Sequence, residues 1–169
     1  MISSLVTWLF NLAARLPLRV LHRLGAIVGK LTYHLSGKYA ERMRENLGYA
    51  WHGRPEADFN RMLQASIIEA GKGAIELLWV WCRPLAIVTA RVKACHGWEH
   101  IEAARARGKG IIFLTPHMAC FDISALYVAQ YMPLTVLYRP PKLTWLEQVM
   151  RSGRERAQLL VQAASRAAL

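Results

Sequence analysis

The sequence predicts an α/β fold in which N-terminal membrane-associating helices precede a largely parallel sheet flanked by helices. Two observations carry that prediction. In the second half of the chain, short apolar and β-branched runs alternate with helical stretches, the pattern of parallel strands joined by crossover helices. In the first half, apolar residues recur at helical spacing with no strand signal between them. No internal repeat competes with this reading.

The elements follow in order. The apolar run Ile2–Ala14 falls short of the ~20 residues that span a bilayer. It also lacks the basic leading region of a secretory signal. Pro17 opens the next helix, where Arg19 and Arg23 continue the four-residue spacing from Arg15. Leu18, Leu21, Leu24, Ile27, Val28 and Leu31 give that helix its apolar surface. Basic and apolar residues mixed in this way suit a helix lying on an anionic membrane face, its long side chains reaching the headgroups. A basic helix packed on a soluble domain is the alternative, and a tilted span reaching beyond Arg15 is a third. Gly25 and Gly29 have the small-xxx-small spacing of close helix pairs.

Residues 39–49 read as a short helix of mixed charge, ended before Gly53. Pro55 suits the first turn of a long helix running to about Trp81, where Arg83-Pro84 stops it. Phe59, Met62, Leu63, Ile67, Ile68, Ile75, Leu78 and Trp79 supply its apolar stripe. Gly71-Lys72-Gly73 interrupts the pattern and suggests a kink. Beyond it, residues 87–94 read as a strand, 98–107 as a helix closed by Gly108, and 110–114 as a buried strand. A helix over 123–130, a strand over 134–138 and a helix over 143–158 complete the series. The expected organisation is a membrane-associating helical segment (1–37), the N-terminal part of an α/β domain (38–161) and an atypical tail (162–169).

Composition narrows the function classes. A chain of 169 residues is normally one domain with a modest core. Apolar content of 54% is high, yet 20% charged residues argue against a polytopic membrane protein. The net charge of +11 implies an anionic partner: a phosphate-bearing surface, an anionic substrate or an acidic protein. Charge alone supports nucleic-acid binding, but no recognition motif or stacking platform accompanies it, so no nucleic acid is expected. Cys82, Cys95 and Cys120 lack metal-ligand spacing, and their odd number suits a reducing compartment. Neither a metal nor another cofactor is expected.

The segment from Leu114 to Asp122 carries the chemistry. His117 stands five residues before Asp122, directly after the apolar run 110–114. Positions five apart lie about 140° from each other around a helix, so the two cooperate only if His117 sits on the loop before it. Pro116 favours that, because it biases Thr115 toward extended geometry and fixes its own φ. Asp122 in the early helix could then accept the imidazole Nδ1 proton and leave Nε2 as a base for a substrate hydroxyl. Such assistance is worth ~10²–10⁴ in rate. The C-terminal end of a strand is where sites form in open α/β sheets. A structural loop histidine beside a first-turn aspartate is the plainer alternative. No nucleophile elbow, Walker A loop or dinucleotide fingerprint is present. Cys120 reads as a small buried thiol, and zinc at His117 and Cys120 would need two further ligands.

Thr115-Pro116-His117-Met118-Ala119-Cys120-Phe121-Asp122, followed by Tyr138-Arg139-Pro140-Pro141-Lys142, resembles the bacterial lipid A biosynthesis acyltransferases. These are the late lauroyl and myristoyl transferases of the lysophospholipid acyltransferase superfamily. Arg44-Glu45-Asn46-Leu47, Glu76-Leu77-Leu78-Trp79 and Gly97-Trp98-Glu99 add to the resemblance by their order and spacing. It implies a glycerolipid-acyltransferase-like fold, with His117 as general base and Asp122 as its orienting acid in an H-x4-D/E motif. It further implies transfer of an acyl chain from an acyl carrier protein thioester to a hydroxyl of an anionic lipid A precursor, at the cytoplasmic face of the bacterial inner membrane. Arg139 would bind the acyl donor or steady the tetrahedral oxyanion. Lys142, Arg151, Arg154 and Arg156 could extend the anion-binding surface, or form a solvated helix face.

Two departures from the family pattern widen the expectation. Asp122 stands where the lipid A branch usually has Glu, and Asp is usual in the glycerolipid branch. A glycerophospholipid or ornithine-lipid acyltransferase is therefore the alternative, and an inactive basic membrane-surface protein a further one. The resemblance extends to about Leu160, and the Ala-rich tail after it suggests a truncated chain or a shifted reading frame. Such a sheet would keep an unpaired edge and an uncovered face.

Overall fold

The computed structural model describes residues 2–118 and 120–164. The chain divides into two compact units, Met1–Cys82 and Arg83–Leu169. The division falls at the Arg83-Pro84 stop, well beyond the boundary after residue 37 that the sequence suggests. The segment ahead of that boundary packs against the long helix, which explains the difference.

The first unit is helical. It holds α1 (Ile2–Ala14), α2 (Leu18–Leu35), α3 (Gly37–Ala50), a 3-10 turn (Glu56–Asp58) and α4 (Phe59–Cys82). Pro17 precedes α2 in extended backbone, φ −57° and ψ 140°, and so separates it from α1. Helices α2 and α4 form the main contact of the unit. Their axes come together where Gly25 and Gly29 of α2 meet Gly71 of α4. A Cβ on Gly29 would stand 2.5 Å from the Ile67 carbonyl oxygen, and one on Gly25 2.8 Å from the Lys72 Cα. Backbone therefore touches backbone, which only glycine permits here. The Gly71-Lys72-Gly73 stretch does not interrupt the helix, and α4 runs unbroken for 24 residues. Its glycine serves close approach instead. Tyr33, Leu63 and Ile67 fill the buried centre, with Tyr39, Met43, Leu47 and Phe59 packed around them. Two polar contacts fix the helices further. His22 Nε2 lies 2.6 Å from Glu76 Oε1, and Arg44 Nε donates to the Tyr33 hydroxyl at 2.9 Å.

The apolar surface of α2 is divided. Leu21 is buried against the unit, whereas Leu24, Ile27, Val28 and Leu31 are exposed, as are Trp8, Leu9 and Leu12 of α1. Among the described residues no helix is long and apolar enough to cross a membrane.

The second unit is α/β. It contains α5 (Leu85–Thr89), α6 (Trp98–Ala106), α7 (Asp122–Val128), β1 (Leu134–Tyr138), α8 (Thr144–Arg154) and β2 (Leu159–Ala163). Strands β1 and β2 pair in parallel from Leu134↔Leu159 to Tyr138↔Ala163, and α8 is the crossover that parallel pairing requires. Tyr138, Leu159 and Val161 point inward with Leu126, Met132, Val149 and Met150. Leu137 and Leu160, on the opposite face, are 59% and 66% exposed, so that face is uncovered. Trp98 of α6 meets Tyr131 edge-on at 4.9 Å, just beyond the end of α7.

Three expectations change. Residues 87–94 form no strand, because Pro84 starts a helical turn that buries Val88 and Thr89. Residues 110–114 join no ladder among the described residues, and Ile112 and Leu114 are 91% and 92% exposed. The helix expected over 143–158 ends at Arg154. Glu155 leaves helical geometry, Ala157 turns left-handed at φ 54°, and the chain re-enters the sheet as β2. The expected tail boundary at residue 162 thus falls within a strand. Residues 165–169 of that tail lie outside the described residues.

Candidate active site

The loop between α6 and α7, together with α7, β1 and the last turns of α8, lines a half-open cavity of about 1120 Å³. Its walls are largely apolar, with Ile111, Phe113, Val128, Leu134 and Val136 among them. His117, Asp122, Arg105, Tyr138, Arg139 and Arg154 are the titratable residues that line it among the described residues. All of these belong to the second unit.

Local sequence explains each placement. The Pro116 carbonyl accepts the Met118 amide at 2.8 Å, a tight turn that leaves His117 on the loop ahead of α7. The exposed His117 imidazole rests on the Phe121 ring, with centroids 4.6 Å apart. Asp122 is the first residue of α7 and is only 5% exposed. Its carboxylate is gripped by Arg154 from the last turn of α8: Nε donates to Oδ2 at 2.9 Å and Nη2 to Oδ1 at 2.8 Å. His117 and Asp122 thus line one cavity, but no hydrogen bond joins them among the described residues.

The remaining expected residues divide. Arg139 lies directly after β1 and lines the cavity. Lys142 is exposed and is not part of the cavity wall. Arg151 is outside the wall as well and donates to Glu155 at 2.7 Å. That hydrogen bond and the carboxylate charge hold the Arg151 proton more tightly than usual. Arg156 donates to the Arg83 carbonyl at 2.6 Å. In the cavity wall, the Tyr138 hydroxyl donates to Glu147 Oε1 at 2.7 Å, which with burial raises its pKa. The sequence reading missed Arg105, which reaches the cavity from the end of α6 and lies 3.8 Å from Glu102. Nothing in its sequence neighbourhood marks it. Among the described residues no cluster of three His, Cys, Asp or Glu side chains could hold a metal ion.

Chemically, the cavity offers an imidazole on a loop, a fixed carboxylate and an accessible guanidinium beside a largely apolar, half-open wall. That combination suits deprotonation of a hydroxyl and stabilisation of an oxyanion beside a hydrocarbon substituent.

Comparison with known proteins agrees in kind. The family described as bacterial lipid A biosynthesis acyltransferase matches residues 1–167. The match runs past Leu160, where the resemblance read from motifs alone ends, and through most of the tail. The chain is 28% identical over 149 residues to the lipid A biosynthesis lauroyltransferase of Escherichia coli (strain K12), covering 84% of this chain and 48% of that protein. It is 28% identical over 144 residues to the lipid A biosynthesis acyltransferase of Haemophilus influenzae (strain ATCC 51907 / DSM 11121 / KW20 / Rd), covering 83% and 45%. The chain therefore spans about half the length of these curated relatives. No solved structure matches it.

Proposed function

Because the chain belongs to the bacterial lipid A biosynthesis acyltransferase family, we propose that it acts in O-acyl transfer from an acyl carrier protein thioester to a hydroxyl of a lipid A precursor. The observation that carries this reading is that His117, Asp122 and Arg139 line one largely apolar cavity. His117 takes the hydroxyl proton through Nε2 as the oxygen attacks the thioester carbonyl. A C–O bond forms, and the carbonyl electrons collect on an oxyanion that Arg139 steadies. Collapse breaks the C–S bond, and the imidazolium returns the proton to the departing thiolate. The products are an ester and a free carrier thiol. Asp122 orients the imidazole for both transfers.

Acyl transfer measured with an acyl-carrier-protein donor and a lipid acceptor tests the assignment. His117→Ala lowers turnover by ~10²–10⁴, the usual worth of a general base. Equal turnover in the variant and the parent would remove His117 from the mechanism. Asp122 keeps a glycerophospholipid or ornithine-lipid acceptor in view. Competition between acceptors decides, since the lipid A reading requires preference for the phosphorylated glucosamine lipid.

The exposed apolar side chains of α1 and α2, together with Arg15, Arg19 and Arg23, support attachment to an anionic membrane face, which on the family reading is the cytoplasmic face of the inner membrane. Flotation with anionic vesicles that weakens in high salt is the expected result. Flotation indifferent to lipid charge would leave those arginines without a role.

A further inference from the structure

We propose that Arg154 is a positioning residue, which holds the Asp122 carboxylate in the orientation that His117 requires, rather than a contact for substrate phosphate. The proposal rests on the acyl-transfer reading above and deepens it. Arg154 belongs to a rigid element: Val149, Met150 and Gly153 of α8 are buried beside it. Its guanidinium donates through two nitrogens to two different carboxylate oxygens, at 2.9 and 2.8 Å. A fork of this kind fixes the plane of a carboxylate as well as its position, which a lysine ammonium cannot do. The Arg154 and Asp122 side chains are only 11% and 6% exposed. Burial of two charges is tolerated where their geometry matches, and it removes both from competition with water and passing anions.

Bidentate pairing with Arg154 is compatible with the catalytic function of Asp122. A carboxylate offers about four lone-pair directions and can accept an imidazole N–H alongside a bidentate guanidinium. His117 sits on the loop leading into α7, with its ring against Phe121, the residue before Asp122. Arg154 comes from 32 residues farther along the chain. The carboxylate is therefore anchored by α8 while the loop carries the imidazole. The orientation of the dyad depends on a residue outside its motif.

The test uses the full chain with Arg154→Lys, Arg154→Met and Asp122→Asn. Two readouts are taken: the split between kcat and KM in acyl transfer, and the ring nitrogen chemical shifts of His117, assigned by their loss in His117→Gln. The expected result is a fall in kcat of ~10²-fold in both Arg154 variants, the scale of a misplaced catalytic group, with KM nearly unchanged. The His117 ring shifts move in the same direction as in Asp122→Asn. A raised KM with unchanged kcat would instead make Arg154 a substrate ligand and overturn the proposal. Unmoved His117 shifts in folded Arg154→Lys would reduce the pair to a structural staple, which also overturns it. If the parent chain transfers no acyl group, the acyl-transfer reading fails by itself, and the His117 shifts still decide whether Arg154 orients the dyad. If Arg154→Met does not fold, Arg154→Lys carries both readouts.

Discussion

Replacing Gly71 by Ala puts a methyl group into the seam between α2 and α4. The new Cβ would stand 2.7 Å from the Gly29 Cα and 2.7 Å from the Gly29 nitrogen, and closer still to the Gly25 carbonyl oxygen. All three obstacles are backbone, so no side chain can rotate away. Carbon contacts settle near ~3.5–4.0 Å, so the helices must part by roughly 1 Å. A gap of that size forfeits about a quarter to a half of each dispersion well along the interface. Overpacking of this kind costs about 1–3 kcal/mol. Against it stands a gain of about 1 kcal/mol, because Ala favours helix over Gly. Gly73 provides the control: it lies in the same helix, and a Cβ there would meet nothing within 4 Å. Gly73→Ala should therefore stabilise by about 1 kcal/mol, and since that gain is common to both, the two variants should differ by about 1–3 kcal/mol, the overpacking cost. Urea unfolding followed by far-ultraviolet circular dichroism measures the difference. A Gly71→Ala protein as stable as Gly73→Ala would refute the backbone-contact argument.

Three further outcomes follow from the same coordinates. Leu63→Ala, at a fully buried position, should destabilise by about 2–5 kcal/mol in the same unfolding assay; a loss under 1 kcal/mol would mean that the core collapses around the site. Ala157→Gly should raise the melting temperature slightly. Left-handed backbone costs an L-residue roughly 1–2 kcal/mol, and this is only partly offset by about 0.5–1 kcal/mol for the extra freedom of glycine. A lowered melting temperature would show that the turn is unstrained. Glu147→Gln should shift Tyr138 ionisation to lower pH in an ultraviolet absorbance titration, since the hydrogen bond to Glu147, burial and the Glu147 charge together raise the phenol pKa. The folded state holds that proton more tightly, so the associated stability is complete below pH about 10 and declines as pH rises through the folded value. The variant should lose less stability over that range, because its window between the unfolded and folded values is narrower.

Much of the helical half was legible in the sequence, because proline and periodicity are local signals. Pro55, Pro17 and Arg83-Pro84 mark helix limits that the structure keeps within a few residues. The β elements were harder. The run 87–94 looks like a strand by its β-branched content, but Pro84 preorganises a helical turn and packing buries Val88 in it. Strand β2 was hidden by the Ala-rich tail, although Leu159 and Val161 alternate with Leu160 and Gln162 as a half-buried strand should. At the site, the sequence placed His117 before a helix and Asp122 at its start, since both depend on neighbours a few residues away. The Arg154 grip on Asp122 bridges 32 residues, a distance at which a single sequence carries no pairing signal. Arg154 was legible only as a cation, and its partner came from the fold.

Arg154 lies five residues before β2 begins, and the Gln158 amide donates to the Ala129 carbonyl just after α7. The last strand and the carboxylate clamp are therefore fastened to the sheet by the same short stretch of chain. A fluctuation that peels β2 from β1 loosens Arg154 as well. In native-state hydrogen exchange, the β2 amides and the Asp122 clamp should open as one cooperative unit. The site would then be dismantled by a partial opening, long before the chain unfolds.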